Sequence, residues 1–388
     1  MNVSNSFHRR FKSCALLACV GALLASSAIA KTAPATPPAA PPPNGTIGYV
    51  LTDLFWSVYQ TADGKQECPK GFNDGPREQY AKLFPNGRKV NVVESQLKLE
   101  GETWWPSSGP DPFPFHAVQG KLSYGLNLDG KVGPNDFTHP NGTPGIDNGV
   151  YRAVGCIIGF RGPDGVEVIF QNKAISSDTF NRTMIELSDV DSWTQDDDVT
   201  VTIYRGRDRL LTDAAGKTVL PGGTQRIDVR WGKRLIQQTK ATIKDGVLRT
   251  APTAQMIIPW QNLSVPSFQL IRDMRLELKL SPTGAQGLLA GYADVDTYYR
   301  QLIRNDSTHH LSNGQISAIS LYRALRRFAD AYPDPTTGAN TAISTALDAK
   351  FTQVFIQHPE GEQAKRALLA SLKSGSNKSV ANASLRPK

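Results

Sequence analysis

Residues 274–280 read MRLELKL, with Met274, Leu276, Leu278 and Leu280 alternating with Arg275, Glu277 and Lys279. Side chains on a strand point to opposite faces with a period of two, so this stretch has one apolar and one charged face. Strands half-open to water belong in antiparallel sheets. The same period recurs outward from it. VTVTIY (199–204) alternates apolar residues with threonine, RIDVRW (226–231) sets Ile227, Val229 and Trp231 on one side, and VEVIF (166–170) reads as a further short strand. GPDG, AAGK, LPGG and KDGV supply turn chemistry between them. Residues 45–282 are therefore expected to form a mainly β domain, an antiparallel sandwich or barrel-like fold.

Helical signals lie on either side of these strands. GPREQYAKLFP (75–85) predicts one short helix, opened by Pro76 and stopped by Pro85. Beyond residue 283 the spacing changes to three and four. Ile319, Tyr322, Leu325 and Ala329 follow a Ser312/Gln315 capping box, and Ile343, Leu347, Phe351 and Val354 repeat the spacing before Pro359. GEQAKRALLASLK (361–373) predicts a third helix. A small α-helical C-terminal unit over 283–373 is expected, then a polar tail over 374–388. Tyr292, Tyr298 and Tyr299, with Asp294 and Asp296, lie where strands give way to helices and are expected to pack the two parts together.

The first 30 residues read as a secretory signal: His8, Arg9, Arg10 and Lys12, the apolar run Cys14–Ala25, then small residues ending at Ala30. The apolar run is too short to span a bilayer, which takes about 20 residues. A rival reading places a lipoprotein-type cleavage box at Leu16–Cys19, with Cys19 lipidated. No other segment is apolar and long enough to cross a membrane, so the expected location is the periplasm or the exterior. Residues 31–44, KTAPATPPAAPPPN, form a Pro/Ala linker that cannot build a core. The signal carries three of the net +8 charges, and the remaining +5 shows no basic stripe with interleaved aromatics, which argues against nucleic acid. Of four cysteines, Cys14 and Cys19 belong to the signal. Cys68 and Cys156 remain as a pair, expected to form a disulfide in an oxidising compartment.

The richest polar stretch is GLNLDGKVGPNDFTHPNGTPGIDNGVYRAVGC (125–156). Three readings of it stand: an ion site, an active-site loop and a plain turn between strands. Asn127, Asp129, Asp136, Asp147 and Asn148 can supply oxygen ligands to a structural Ca²⁺, which takes six to eight oxygens in loose geometry. The same residue types also favour turns unaided. Against an EF-hand, Gly125 falls where the first ligand belongs and Asp136 where a bidentate Glu belongs. Asp189, Asp191, Asp196, Asp197 and Asp198 form a second acidic group, expected as a solvated turn. Trp104 and Trp105 are candidates for stacking on sugar rings, and Glu94, Glu100 and Glu102 stand beside them as candidate acid and base for glycan hydrolysis. No catalytic constellation is complete, so catalytic residues are not assigned. The expected function is an exported binding protein with a glycan, lipid or envelope-protein partner. The alternatives are a secreted polysaccharide hydrolase and a subunit of an envelope assembly.

Overall fold

The alternating stretch at 274–280 lies in a 17-residue strand at the centre of the fold. The computed structural model describes residues 40–61, 67–70, 98–99, 102–103, 115–161, 165–176, 182–231, 235–262, 265–305 and 318–361. In chain order these form β1 (Ile47–Trp56), β2 (Lys98–Leu99), β3 (Glu102–Thr103), α1 (Gly149–Val154), α2 (Val166–Ile175), β4 (Arg182–Ser188), β5 (Gln195–Gly206), β6 (Gly223–Arg226), β7 (Gln237–Lys244), β8 (Val247–Thr250), β9 (Thr253–Asn262), β10 (Val265–Ser281), β11 (Gly284–Asp294), α3 (Val295–Asn305), α4 (Ala318–Arg327), β12 (Ala331–Pro333) and β13 (Asn340–Gln357).

Eight of the strands follow one another around a ring, β1-β4-β5-β7-β8-β10-β11-β13, and β13 pairs back onto β1. Every neighbouring pair in the ring is antiparallel. The fold is thus a closed, up-and-down antiparallel barrel, which leaves no open edge within the ring. β9 forms a hairpin with β10, and β6 and β12 add to β13 outside the ring. The inward residues of alternate positions, among them Tyr49, Leu51, Ile185, Ile203, Ile243, Leu276, Leu278, Leu289 and Leu347, form one buried cluster. The barrel interior is a packed core. KDGV makes the β7–β8 turn, where Asp245 and Gly246 both take positive φ (53° and 75°), as a two-residue hairpin turn requires.

The mainly β, barrel-like expectation holds, but several segments differ from their sequence reading. Residues 340–357, expected as a helix, are β13, the strand that closes the ring. Ile343, Leu347 and Phe351 are spaced by four, which fits a helical face and is also twice the strand period. Thr345 and Ala349 between them share the inward face. Burying such large apolar side chains contributes about 1.5–3 kcal/mol each, whereas helix propensities differ by tenths of a kcal/mol per residue, so the barrel decides. Residues 166–170, expected as a strand, open helix α2, whose buried residues Val168, Gln171, Ala174 and Ile175 recur at helical spacing. Gln171 masked that period. Past the register shift at Leu51/Asp53, the N–H of Leu54 donates to Oδ1 of Asn172, so α2 completes the wall beside β1. Residues 226–231 leave the sheet after Arg226. The Asp228 carboxylate takes the N–H and guanidinium of Arg230, a 3₁₀ turn follows, and Val229 is exposed.

α4 is helical as expected, but the unit expected to be helical over 283–373 is mixed: β11, held between β10 and β13, and β12 are strands within it, and α3 is a helix that the spacing did not single out. Tyr298 and Tyr299 are buried in the main core, Tyr299 edge-on to Tyr322. The expected helices at 75–85 and 361–373 and the Ser312/Gln315 cap lie outside the described residues. So do the signal segment and most of the linker. Ala40 is described, and its carbonyl accepts from Nε1 of Trp193. Cys68 and Cys156 form a disulfide with their Cα atoms 5.3 Å apart. Beside it, buried Glu67 pairs with Arg161 and accepts from Thr61. No described helix is long and apolar enough to cross a membrane.

Candidate functional site

The 118–148 segment lies over the outer face of β11 and β13, where Leu128 packs with Ala290, Tyr292, Ala342 and Ala346. The small outward residues of β13 let it come close. Two arginines fix its path through backbone carbonyls. Arg152 donates to the carbonyls of Val118, Gly120 and Asn135 and lies 3.7 Å over the Phe137 ring. Arg275, an outward residue of the MRLELKL strand, donates to the carbonyls of Asn127 and Leu128.

Most of the polar side chains in the segment serve its turns. Asn127 accepts from Gly130 N–H and donates to the Lys131 carbonyl, and Asp129 accepts from Lys131 N–H. Asp136 accepts from Gly133 N–H. Asn148 is the N-cap of α1: its Oδ1 accepts from Tyr151 N–H, and its Nδ2 donates to the Ser57 carbonyl and Ser123 Oγ. Asx turns and N-caps of this kind are what short Asn and Asp side chains do without any ligand.

Asp147 is different. It is buried (7% exposed), and among the described residues its carboxylate accepts from Leu128 N–H, at 2.6 Å on Oδ2. Burial pushes its carboxyl up to about 6, against the opposing pull of that hydrogen bond, and the nearby carboxylates of Asp136, Asp129 and Asp330 add to the rise. Asp330 follows α4 and lies at the rim. Its oxygens accept from Ser344 N–H and Oγ, and Ser344 Oγ in turn accepts from Gly149 N–H at the start of α1. Burial of its carboxyl raises Asp330 in the same direction. The residue as a whole is open to solvent, so water screens this group more than Asp147.

Together these residues line a pocket of about 280 Å³, with Asp129, Asp136, Asp147, Asn148, Arg152, Tyr292, Phe328, Asp330 and Ser344 in its wall. Tyr292 is nearly buried, and its hydroxyl is held protonated first by burial and then by Asp147, Asp330 and Asp129. None of the four carboxylates forms a salt bridge with a described residue. Four of the five residues proposed from sequence as Ca²⁺ ligands therefore meet at one pocket, while Asn127 lies outside its lining. Among the described residues, no three His, Cys, Asp or Glu side chains are grouped to hold a metal ion. Asp330 and Tyr292 complete the pocket from distant parts of the chain. The sequence around Asp330 carries no sign of this role, because the fold alone brings residue 330 to residue 147.

The other sequence candidates fall elsewhere. In the second acidic group, Asp196 accepts from the N–H groups of Asp191 and Asp198, and Asp198 pairs with Lys240, an exposed hairpin arrangement. Trp104, Trp105, Glu94 and Glu100 lie outside the described residues, and for Glu102 only the backbone, in β3, is described. No protein-family model, curated protein or solved structure matches the chain.

Proposed function

We propose that this chain is an exported binding protein whose acidic pocket takes a small ligand through a positively charged group. The observation that supports it is the set of four carboxylates, Asp129, Asp136, Asp147 and Asp330, around one small pocket whose one guanidinium, Arg152, is occupied with carbonyls and a ring. Carboxylates so close repel one another unless solvated or neutralised. Ca²⁺ is the simplest neutralising group, but it needs six to eight oxygens. An ammonium needs only three acceptors, and the pocket also offers the Tyr292 hydroxyl and Ser344 beside Phe328. A primary amine on a glycan, lipid or protein partner is the ligand class that fits best.

The experiment is a thermal melt of the mature protein with Ca²⁺, with chelator, and with ethanolamine or glucosamine. A ligand that binds only the folded state adds about 2.7 kcal/mol at a hundredfold excess over Kd. A rise of the midpoint with amine that Asp147→Asn abolishes supports the reading. A rise with Ca²⁺ alone moves the ligand class to a metal. No response to either cation rejects the reading.

One observation favours a hydrolase as the second reading: Asp147, raised to about 6, shares its pocket with Asp330. Asp330 is raised to about 6 as well, and carboxyls that titrate close to neutral pH can give and take protons as acid and base. Turnover of a glycan panel, lost in both Asp147→Asn and Asp330→Asn, would select this reading over binding.

A further inference from the structure

A second cleft, of about 760 Å³, opens beside the β10–β11 turn and shares no lining residue with the acidic pocket. Four lysines reach it from four parts of the chain: Lys173 on α2, Lys217 in the segment before β6, Lys279 on β10 and Lys350 on β13. All four are exposed, and none forms a salt bridge with a described residue. Asp53 is the one carboxylate among the described lining residues.

The strand register fixes how two of these lysines face each other. Lys279 pairs with Gln286, Gln286 with Lys350, and Lys350 with Asp53. Neighbouring strands lie about 4.8 Å apart, so Lys279 and Lys350 leave the same outer face roughly 10 Å from each other. Lys173 and Lys217 bring two more ammonium groups across the cleft from elements outside the ring. Four cations against one carboxylate in a concave surface concentrate positive potential. The hydroxyls of Thr52, Ser176 and Ser281 in the same wall donate to the carbonyls of Lys350, Lys173 and Gly284, so the lysines carry the recognition. The volume lies within the 300–1,000 Å³ range of small-molecule sites.

We infer that this cleft binds a ligand carrying several phosphate or carboxylate groups, held by its four lysines acting as point charges. A free phosphoester and an anionic lipid headgroup share that chemistry. The inference is independent of the acidic pocket and of the ligand proposed for it.

The test is calorimetric titration of the mature chain with inorganic tripolyphosphate, and co-sedimentation with vesicles containing phosphatidylglycerol. Three variants are compared with the parent: Lys279→Gln/Lys350→Gln, Lys173→Gln/Lys217→Gln, and Lys121→Gln, an exposed lysine outside the cleft. All are surface changes, and thermal melts check that each variant folds. The expected result is tripolyphosphate binding that weakens at least tenfold in each double variant, is unchanged in Lys121→Gln, and weakens steadily with added salt. Vesicle binding displaced by tripolyphosphate would assign the headgroup as a source, and tripolyphosphate binding without vesicle binding would assign a soluble ligand. Absence of binding at 100 mM salt, or equal binding by all variants, would overturn the inference.

Discussion

Nε1 of Trp56, the last residue of β1, donates a 2.6 Å hydrogen bond to the hydroxyl of Tyr298 on α3. Both side chains are buried, and 242 positions of sequence separate them. The bond ties the first strand of the barrel to the helix that follows β11. Tyr298→Phe keeps the ring in place and removes the acceptor, which costs about 1–3 kcal/mol when a buried donor loses its bond. Chemical denaturation of the variant, with the m-value unchanged, is the measurement.

The Cys68–Cys156 disulfide closes a separation of 88 positions. In a chain-entropy account a loop of that length contributes about 4–5 kcal/mol. Cys68→Ser/Cys156→Ser should lower stability by about 2–5 kcal/mol. A denatured, unreduced chain starting at Lys31, which carries only Cys68 and Cys156, should show no reactive thiol in a thiol count, and two reactive thiols would remove the bridge from the account.

Asp147 makes stability depend on pH in a defined direction. Its folded value of about 6 lies above its ordinary 3.8, so folding takes up a proton between about pH 4 and 6. The contribution of this group is fully present below about pH 4 and is lost as pH rises through 6, on the order of 2–3 kcal/mol. Asp147→Asn keeps an acceptor for Leu128 N–H and removes the charge. The variant should melt higher than the parent at pH 7 and show a flatter profile between pH 4 and 6. A parent that gains stability across that window would contradict this.

Ser344 joins two sides of the acidic pocket, taking Gly149 N–H and donating to Asp330. Ser344→Ala breaks both bonds and should cost about 1–3 kcal/mol. It should also weaken any cation held by Asp147 and Asp330, because Asp330 loses one of the two bonds that aim it and keeps only the backbone N–H of residue 344. Comparing the amine-induced rise in midpoint between parent and variant separates the second effect from the first.

The β class was legible because MRLELKL and VTVTIY carry a period that only an extended chain can bury on one side. The closing strand was not, because Ile343, Leu347 and Phe351 are spaced by four, a number compatible with both a helix and a strand. Deciding between them requires knowing that β1 and β11 stand ready on either side, which local sequence does not contain. The same limit applies to the pocket. The 125–156 stretch announced Asp147 among many turn-forming residues, and nothing near Asp330 announced its partner. What separates Asp147 from Asn127 or Asp129 is burial, a property of the assembled fold.

The ring closes between its first and last members: Gly48 pairs with Val354 and Trp56 with Leu347. A nascent chain therefore cannot complete the barrel until residue 357 has emerged, and it must carry β1 and β11 with unsatisfied edges until then. Such long-range pairing makes folding slow, and exposed strand edges recruit other chains. The time between synthesis and closure is when this protein is most open to aggregation, and when a chaperone that shields those edges has most effect on its yield.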